Sequence, residues 1–476
     1  MTTSRVKTRA RTEAESPDSP SLHVVTFGCQ MNKYDSLLVE GRFQAHGYRM
    51  AEEMDEADVI LFNTCSVRDH AEERVYSWMG KLKEAKQSRP NLVIGVMGCM
   101  AQRAEEEIFQ RAAHVDLVCG TRQLQNLPHL VDEVIERRQE AAPGDKAQHL
   151  LETDMQGDVV VDRAEETYND GLVGHLAVMR GCDLNCTYCI VPSVRGRVRS
   201  RPIADLVSET QWMVAGGARV VTLLGQTVNS YGEDLPKPGA EEPQLSGRQG
   251  RASLADLLRA LQEVEGLFSI RLITLHPSYM TPALAMAIRD CDKLDRFLPL
   301  PAQSGSNEVL KRMKRGYTVD LYRERIEMLR SYVPDIELGS DWIVGFPGES
   351  DEDFEASLAF CEEIGFVQGY VFQYSPRPGT KAFKLEDDIP LVVKKERNQR
   401  LLRASEHSAV NRMDRFVGQE IEVLIEAADP KVPGRLRGRS RHNLPISVFG
   451  DADLVGSLQR IRVGEASAFC LAGELV

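Results

Sequence analysis

No apolar run in this sequence reaches the ~18 residues that cross a bilayer as a helix. The longest, 58–64 and 92–98, have the length of strands. A helical membrane protein is therefore not expected. No signal-peptide apolar segment follows the start. Residues 1–20 are rich in Thr, Ser and Arg, but Glu13, Glu15 and Asp18 argue against a transit peptide, which avoids acids. They read as a disordered tail on a cytoplasmic protein. Positive charge is also scarce, with a net charge of −13 and a pI near 5.4. The surface as a whole is thus not built to hold nucleic acid, and any such contact must come from a local basic patch. With ten cysteines and no leader, a disulfide framework is not expected either. Metal ligation, redox chemistry and core packing remain.

What is present is an ordinary globular composition, 42% hydrophobic and 27% charged, long enough to bury several cores. From 21 to 137, short Val/Ile/Leu runs (23–27, 59–63, 92–97, 115–118) alternate with polar periodic stretches such as 36–45 and 71–86. That rhythm predicts an open parallel sheet covered by helices. Residues 138–170 are acidic and aperiodic, with Pro143–Gly144, and read as a linker or a wrapping strand. A second alternating region, 171–404, offers six strands (175–179, 220–224, 269–275, 296–300, 336–343, 369–373) and suits a (β/α)6 partial barrel. Residues 233–251 read as a low-complexity surface insertion. From 411 to 476, short strands with tight turns predict a small all-β barrel.

Three cysteines, Cys182, Cys186 and Cys189, stand in the spacing CxxxCxxC on a predicted loop after strand 175–179. A 4Fe-4S cluster usually takes four thiolates. Three leave one iron open to a small chelate, such as the amino and carboxylate groups of S-adenosylmethionine. The alternative, a zinc knuckle, needs a fourth ligand that does not follow closely. The spacing, with Tyr188 before the last Cys, resembles the radical-SAM superfamily. In α/β barrels the chemistry sits at strand carboxyl ends. By that resemblance Gly225, Gln226, Gln303, Ser304 and Asp341, at or near predicted strand ends, are expected to hold S-adenosylmethionine. The competing reading is that the glycines simply make turns.

Cys29, Cys65 and Cys99 are far apart in sequence, yet each ends a predicted strand: HVVTFGC, DVILFNTC and LVIGVMGC. Open parallel sheets bind ligands outside those carboxyl ends. Neighbouring strand ends would bring the three thiols together as ligands of a second cluster. Cys119 also follows a strand and reads mainly as packed at the sheet edge, with a ligand role left open. Cys291, Cys361 and Cys470 read as core.

Together these features resemble the methylthiotransferase family of radical-SAM enzymes, from about 22 to the last residue. The resemblance implies a three-Cys N-terminal domain, a radical-SAM core, a C-terminal TRAM domain, two 4Fe-4S clusters and S-adenosylmethionine. The stretches NTCSVR (63–68), GCMAQR (98–103), GQTVNSY (225–231) and YSPRPGT (374–380) resemble the branch that methylthiolates C2 of isopentenylated adenosine beside the tRNA anticodon. Thr227 departs from the Asn common there. Implied partners are tRNA and a reductant such as flavodoxin; the chain is expected to be a monomer. Two alternatives stay open: action on ribosomal protein S12, and a non-catalytic iron–sulfur RNA-binding sensor. No side chain beyond the cluster ligands is assignable to catalysis.

Arg435, Arg437, Arg439 and Arg441 alternate along one predicted strand and so share a face. A guanidinium row matches a phosphate backbone, and the TRAM resemblance makes it an RNA contact. A solvated basic edge is the alternative. Residues 412–476 hold nine basic and nine acidic side chains, so the barrel is neutral while the remainder of the chain carries the −13. Arg195, Arg197, Arg199 and Arg201 alternate likewise and divide between substrate contact and internal ion pairs.

Overall fold

The computed structural model describes residues 19–66, 69–140, 149–156, 171–239, 241 and 243–476. Of the expected tail, residues 1–18 lie outside these; of the expected linker, so do 141–148 and 157–170. The chain forms two compact units, one of residues 1–169 with 190–197 and one of 170–189 with 198–476.

The first unit is built on β1 (Ser21–Phe27), β2 (Arg49–Met50), β3 (Val59–Thr64), β4 (Val93–Gly98), β5 (Leu117–Cys119) and β6 (Leu150–Glu152), in the order β2-β1-β3-β4-β5-β6. Every neighbouring pair is parallel. β3 and β4 are buried at every residue, as a strand covered on both faces must be. Alternation then splits the core in two. Ile60, Phe62, Ile94 and Val96 pack with Val75 and Met79 of α2 (Asp69–Ser88). Leu61, Val93 and Met97 pack with Val39 and Phe43 of α1 (Gln30–Ala45). Two short helices, α3 (Cys99–Ala104) and α4 (Glu106–Arg111), follow β4; α5 (Leu127–Glu140) closes the second face, and α6 (Val191–Arg195) joins this unit from later in the chain. β6 is the wrapping strand of the two readings given to 138–170. It makes β5 an interior strand, so Cys119 is not at the sheet edge.

In the second unit β7 (Val173–Ala177) is followed by a two-stranded antiparallel pair, β8 (Met179–Arg180) with β9 (Arg199–Ser200). That pair pinches the base of the cysteine loop. β10 (Val220–Leu224) and β11 (Ser269–Leu272) continue the sheet from β7; β12 (Phe297–Pro299), β13 (Glu337–Val344) and β14 (Gln368–Gln373) form the other half. Ile270 N–H donates to the Lys293 carbonyl at 2.7 Å and Asp295 N–H to the Ile270 carbonyl at 3.0 Å, joining the halves. The result is six parallel strands, the expected partial barrel. The intervening helices are α7 (Ile203–Ala215), α8 (Leu254–Gln262), α9 (Pro282–Asp290), α10 (Asn307–Met313), α11 (Val319–Tyr332) and α12 (Asp351–Ile364). α13 (Leu391–Met413) packs on β14 and runs two residues beyond the expected start of the final barrel.

β15 (Glu420–Ala428), β16 (Arg435–Ser440), β17 (Pro445–Phe449), β18 (Leu458–Ala466) and β19 (Leu471–Leu475) close in the order β15-β16-β17-β19-β18, the small barrel expected of a TRAM domain. Its core, including Val423, Leu436, Ile446 and Ile461, is continuous with Phe297, Val367 and Met413 of the partial barrel. Among the described residues, no helix is long and apolar enough to cross a membrane.

His276, 2% exposed, stacks edge-on against Tyr279 and Tyr317, and its Nδ1 accepts from Ser278 N–H at 3.3 Å. Burial, reinforced by Arg315, pushes its pKa down to about 3. The unfolded chain, with an ordinary His near 6.5, therefore binds the proton that the fold refuses. This group's contribution is intact above pH ~6.5 and is lost as pH falls from there towards 3. His276→Gln is expected to flatten the fall in melting temperature between pH 6.5 and 4 relative to the parent; identical slopes would show that the imidazole is not the cause.

Candidate iron–sulfur and S-adenosylmethionine sites

In the first unit, the ladders pair Phe27 with Thr64 and Thr64 with Gly98. Three adjacent strands thus end level, and Cys29, Cys65 and Cys99 follow one or two residues later. Cys29 caps α1 and is exposed; Cys65 and Cys99 are buried. Side-chain amides fix the turns. Asn32 Nδ2 donates to Asn63 Oδ1 at 2.9 Å, Asn63 Nδ2 donates back to the Asn32 carbonyl at 2.8 Å, and the Cys29 thiol donates to Asn32 Oδ1 at 3.1 Å. Gly98 has φ +90°, and a Cβ there would lie 2.4 Å from Asn63 Oδ1. Only glycine lets the strand turn into α3 against that amide.

Arg195 reaches this edge from α6. Its Nη2 donates to Asp35 Oδ2 at 2.8 Å, with both side chains buried. Burial pushes the Cys99 thiol up to about 11, against the pull of the neighbouring Arg195. Arg195 itself is held strongly protonated by Asp35, Cys99 and Cys29 despite its burial. A guanidinium beside buried sulfur favours the thiolate, the form that ligates a metal. Cys119 has no part in this. It is fully buried beside Leu117 and Leu124, its thiol is pushed up by burial, and its sulfur meets the Gly120 carbonyl at 3.6 Å.

In the second unit the loop after β8 carries Cys182, Cys186 and Cys189. Cys182 Sγ lies 3.5 Å from Thr227 Oγ1, and Arg315 Nη1 donates to Cys186 Sγ at 3.4 Å. Thr187 holds the loop to the end of α10, donating from its N–H to the Met313 carbonyl (2.9 Å) and from its hydroxyl to the Arg312 carbonyl (3.0 Å). Tyr188 packs against a cluster of Val309, Met313, Phe346 and Tyr374. Thr227, the departure noted above, thus lies beside the first cysteine of the CxxxCxxC set. Arg315 was not legible in the sequence, because its role depends on the turn after α10.

The residues expected to hold S-adenosylmethionine divide. Gly225 leaves no room for a side chain, since a Cβ would sit 2.6 Å from Met179 Cγ. Gln226 has a buried Oε1 with no hydrogen-bond partner in the structure. Gln303 adopts φ +67°, with its N–H donating to the Asp341 carbonyl at 2.9 Å. Asp341 is pushed up to about 6 by burial, against the pull of Arg315. Ser304 differs: its hydroxyl lies 3.2 Å from Ser357 Oγ on α12 and accepts from Ser306 N–H at 3.1 Å, so it shapes the loop. An orphaned acceptor, a buried carboxyl of raised pKa and two cysteines with polar partners fit a cluster with a chelating amino acid.

The arginine row on β16 points outward, with Leu436, Gly438 and Ser440 buried between. Two of its members already have anionic neighbours: Arg439 with Glu426 at 3.7 Å and Arg441 with Asp292 at 3.5 Å. Arg435 lies over Phe449 at 5.5 Å, and Arg437 is exposed. The row at 195–201 is not one strand face. Arg195 ends a helix and Arg199 lies in β9, while Arg201 pairs with buried Glu209 at 2.6 Å. The internal ion-pair reading holds for Arg195 and Arg201. Cys291 and Cys361 are buried, whereas Cys470 sits half-buried in the turn before β19.

Residues 21–120 match a family described as Uncharacterized protein family UPF0004, and 176–361 match the Radical SAM superfamily. Among solved structures, a radical S-adenosylmethionine methyltransferase, TsrM from Kitasatospora setae, is similar with a TM-score of 0.52 over 88% of this chain and 80% of that one. At 12% identity the likeness is one of fold alone. The sequence relatives are much nearer. A tRNA-2-methylthio-N(6)-dimethylallyladenosine synthase of Moorella thermoacetica is 40% identical, covering 95% of this chain and 98% of that protein. Proteins of the same name from Thermoanaerobacter pseudethanolicus and Akkermansia muciniphila are 38% identical, each over 95% of this chain, and are themselves covered to 92% and 98%. Matched nearly end to end, with both cysteine sets at strand ends, the chain belongs to the family of tRNA-2-methylthio-N(6)-dimethylallyladenosine synthases.

Proposed function

We propose that this protein adds a methylthio group to C2 of an N6-dimethylallyl-adenosine beside the anticodon of tRNA, as a radical S-adenosylmethionine enzyme. The carrying observation is the presence, in one chain, of two three-thiol sets, one following three level parallel strands and one on the single loop after β8. Each set leaves one iron of a 4Fe-4S cluster without a thiolate from that set. When bound, the clusters and S-adenosylmethionine would supply one-electron cleavage of a carbon–sulfur bond, a carbon radical, and the sulfur and methyl to be transferred.

The chain's own residues then have distinct tasks. Cys182, Cys186 and Cys189 hold the cluster that meets S-adenosylmethionine; Cys29, Cys65 and Cys99 hold the other. Arg315 keeps a positive charge against Cys186. Gln226 and Asp341 offer polar atoms to S-adenosylmethionine, and Gly225 and Gln303 shape the backbone beside it. Ser304 orients the 303–306 loop. Arg435 and Arg437 receive phosphate, with Arg439 and Arg441 at the end of the row. The reading includes an electron donor such as flavodoxin, a monomeric enzyme and a cytoplasmic location.

Three measurements test this. Anaerobic reconstitution of the parent is expected to give about eight irons per chain, four per cluster. Cys65→Ala should fall to about four, keep 5′-deoxyadenosine formation and lose methylthio product. Cys186→Ala should lose 5′-deoxyadenosine altogether. Methylthio product from the Cys65 variant would remove the sulfur role from that set. Replacing Arg435 and Arg437 with Ala should weaken tRNA binding several-fold and reduce the slope of log K against log salt by one to two. An unchanged slope would place the phosphate contacts elsewhere. Finally, tRNA nucleosides and ribosomal protein S12 from a deletion strain, read by mass spectrometry, should lose the modification on the tRNA only.

A further inference from the structure

One face of the partial barrel carries more aromatic surface than its packing explains. In β13 and β14, Asp341 pairs with Tyr370 and Ile343 with Phe372, so these four side chains lie on the same face. The opposite face is closed. Trp342 is buried edge-on against Phe360 and Phe366, and α13 covers β14 so closely that a Cβ on Gly369 would lie 2.0 Å from Ser405 Oγ. On the first face, Tyr370 is 54% exposed and Phe372 48% exposed. Two large rings left in water at i and i+2 of β14, the last strand of its sheet, are costly unless something else covers them.

The surroundings say what that something is. Tyr370 lines a concavity with Phe297, Pro299 and Asp341. Its ring is held in place, since Gln368 Nε2 donates to its hydroxyl at 2.7 Å. On one side, Asp341 feels the charge of Arg315, which touches Cys186. On the other, Arg439 of the β16 row lies near enough to feel the Tyr370 hydroxyl. A half-exposed aromatic pair, with Tyr370 fixed, between a cluster-side carboxyl and the end of the arginine row suits a flat base whose backbone runs along the barrel. An apolar substituent on that base would extend the contact over the second ring.

We propose that Tyr370 and Phe372 are the platform on which the target adenine and its N6-dimethylallyl group lie. Tyr370 stacks on the base, and Phe372 covers the hydrocarbon tail and sets the preference for it. The proposal rests on the tRNA reading above and adds the residues that select the modified base.

The test uses the reconstituted full-length enzyme and two anticodon stem-loops, one carrying N6-dimethylallyl-adenosine and one carrying plain adenosine, with Kd read by fluorescence anisotropy. Tyr370→Ala is expected to weaken both by roughly ten-fold or more, and Tyr370→Phe to restore them. Phe372→Ala is expected to shrink the ratio of the two Kd values towards one. Phe268→Ala removes an exposed ring that lies instead beside Arg219 just before β11, and should leave both Kd values at parent level. Iron content and melting temperature equal to the parent's would confine the effect to the face itself. Parent-like Kd values in Tyr370→Ala, or a parent-like ratio in Phe372→Ala, overturn the platform. A parent enzyme that binds neither stem-loop and makes no methylthio product overturns the tRNA reading instead.

Discussion

Parallel strand pairing governs this molecule's chemistry. Parallel ladders send every strand in one direction, so all carboxyl ends emerge on one edge, where backbone groups run out of partners and loops begin. In the first unit, that edge turns three cysteines spaced more than thirty residues apart into neighbours, because Phe27, Thr64 and Gly98 stand in register. In the second, Gly225 follows the end of β10, and Gln303, beyond β12, gives its N–H to the Asp341 carbonyl within β13. Hydrophobic burial on both faces of β3 and β4 is what makes the alignment rigid.

Second to the ladders come a few buried cations. Arg195 and Arg315 each lie beside a cysteine and are paid for by a local partner, Asp35 in one case and the Tyr317 hydroxyl in the other. Burying a guanidinium without such partners is strongly unfavourable. Both sit where thiolates would carry negative charge, so the cost of burial and the charge of a ligated cysteine offset one another.

Much of this was legible in the sequence, for identifiable reasons. Strand-length apolar runs revealed both parallel sheets, and HVVTFGC, DVILFNTC and LVIGVMGC revealed that three cysteines share one sheet edge, because strand direction alone decides where such residues go. The wrapping strand β6 was left between two readings, since three residues of LLE carry little pattern. Arg315, Arg195 and the aromatic face of β14 were not legible. Arg315 acts across 129 residues of chain, and Arg195 across 160. The strand at 369–373 showed its aromatics, but which of its faces α13 would cover is a tertiary fact. Alternation of arginines misled at 195–201, where a helix end and a short strand replace one continuous strand.

The amide clasp between Asn32 and Asn63 ties two cysteine turns to one pair of side chains. Each Nδ2 donates, Asn32 to Asn63 Oδ1 and Asn63 to the Asn32 carbonyl. An aspartate at either position has no N–H to give and could not copy the clasp. The turns at Cys29 and Cys65 would then loosen together, although neither thiol had been touched.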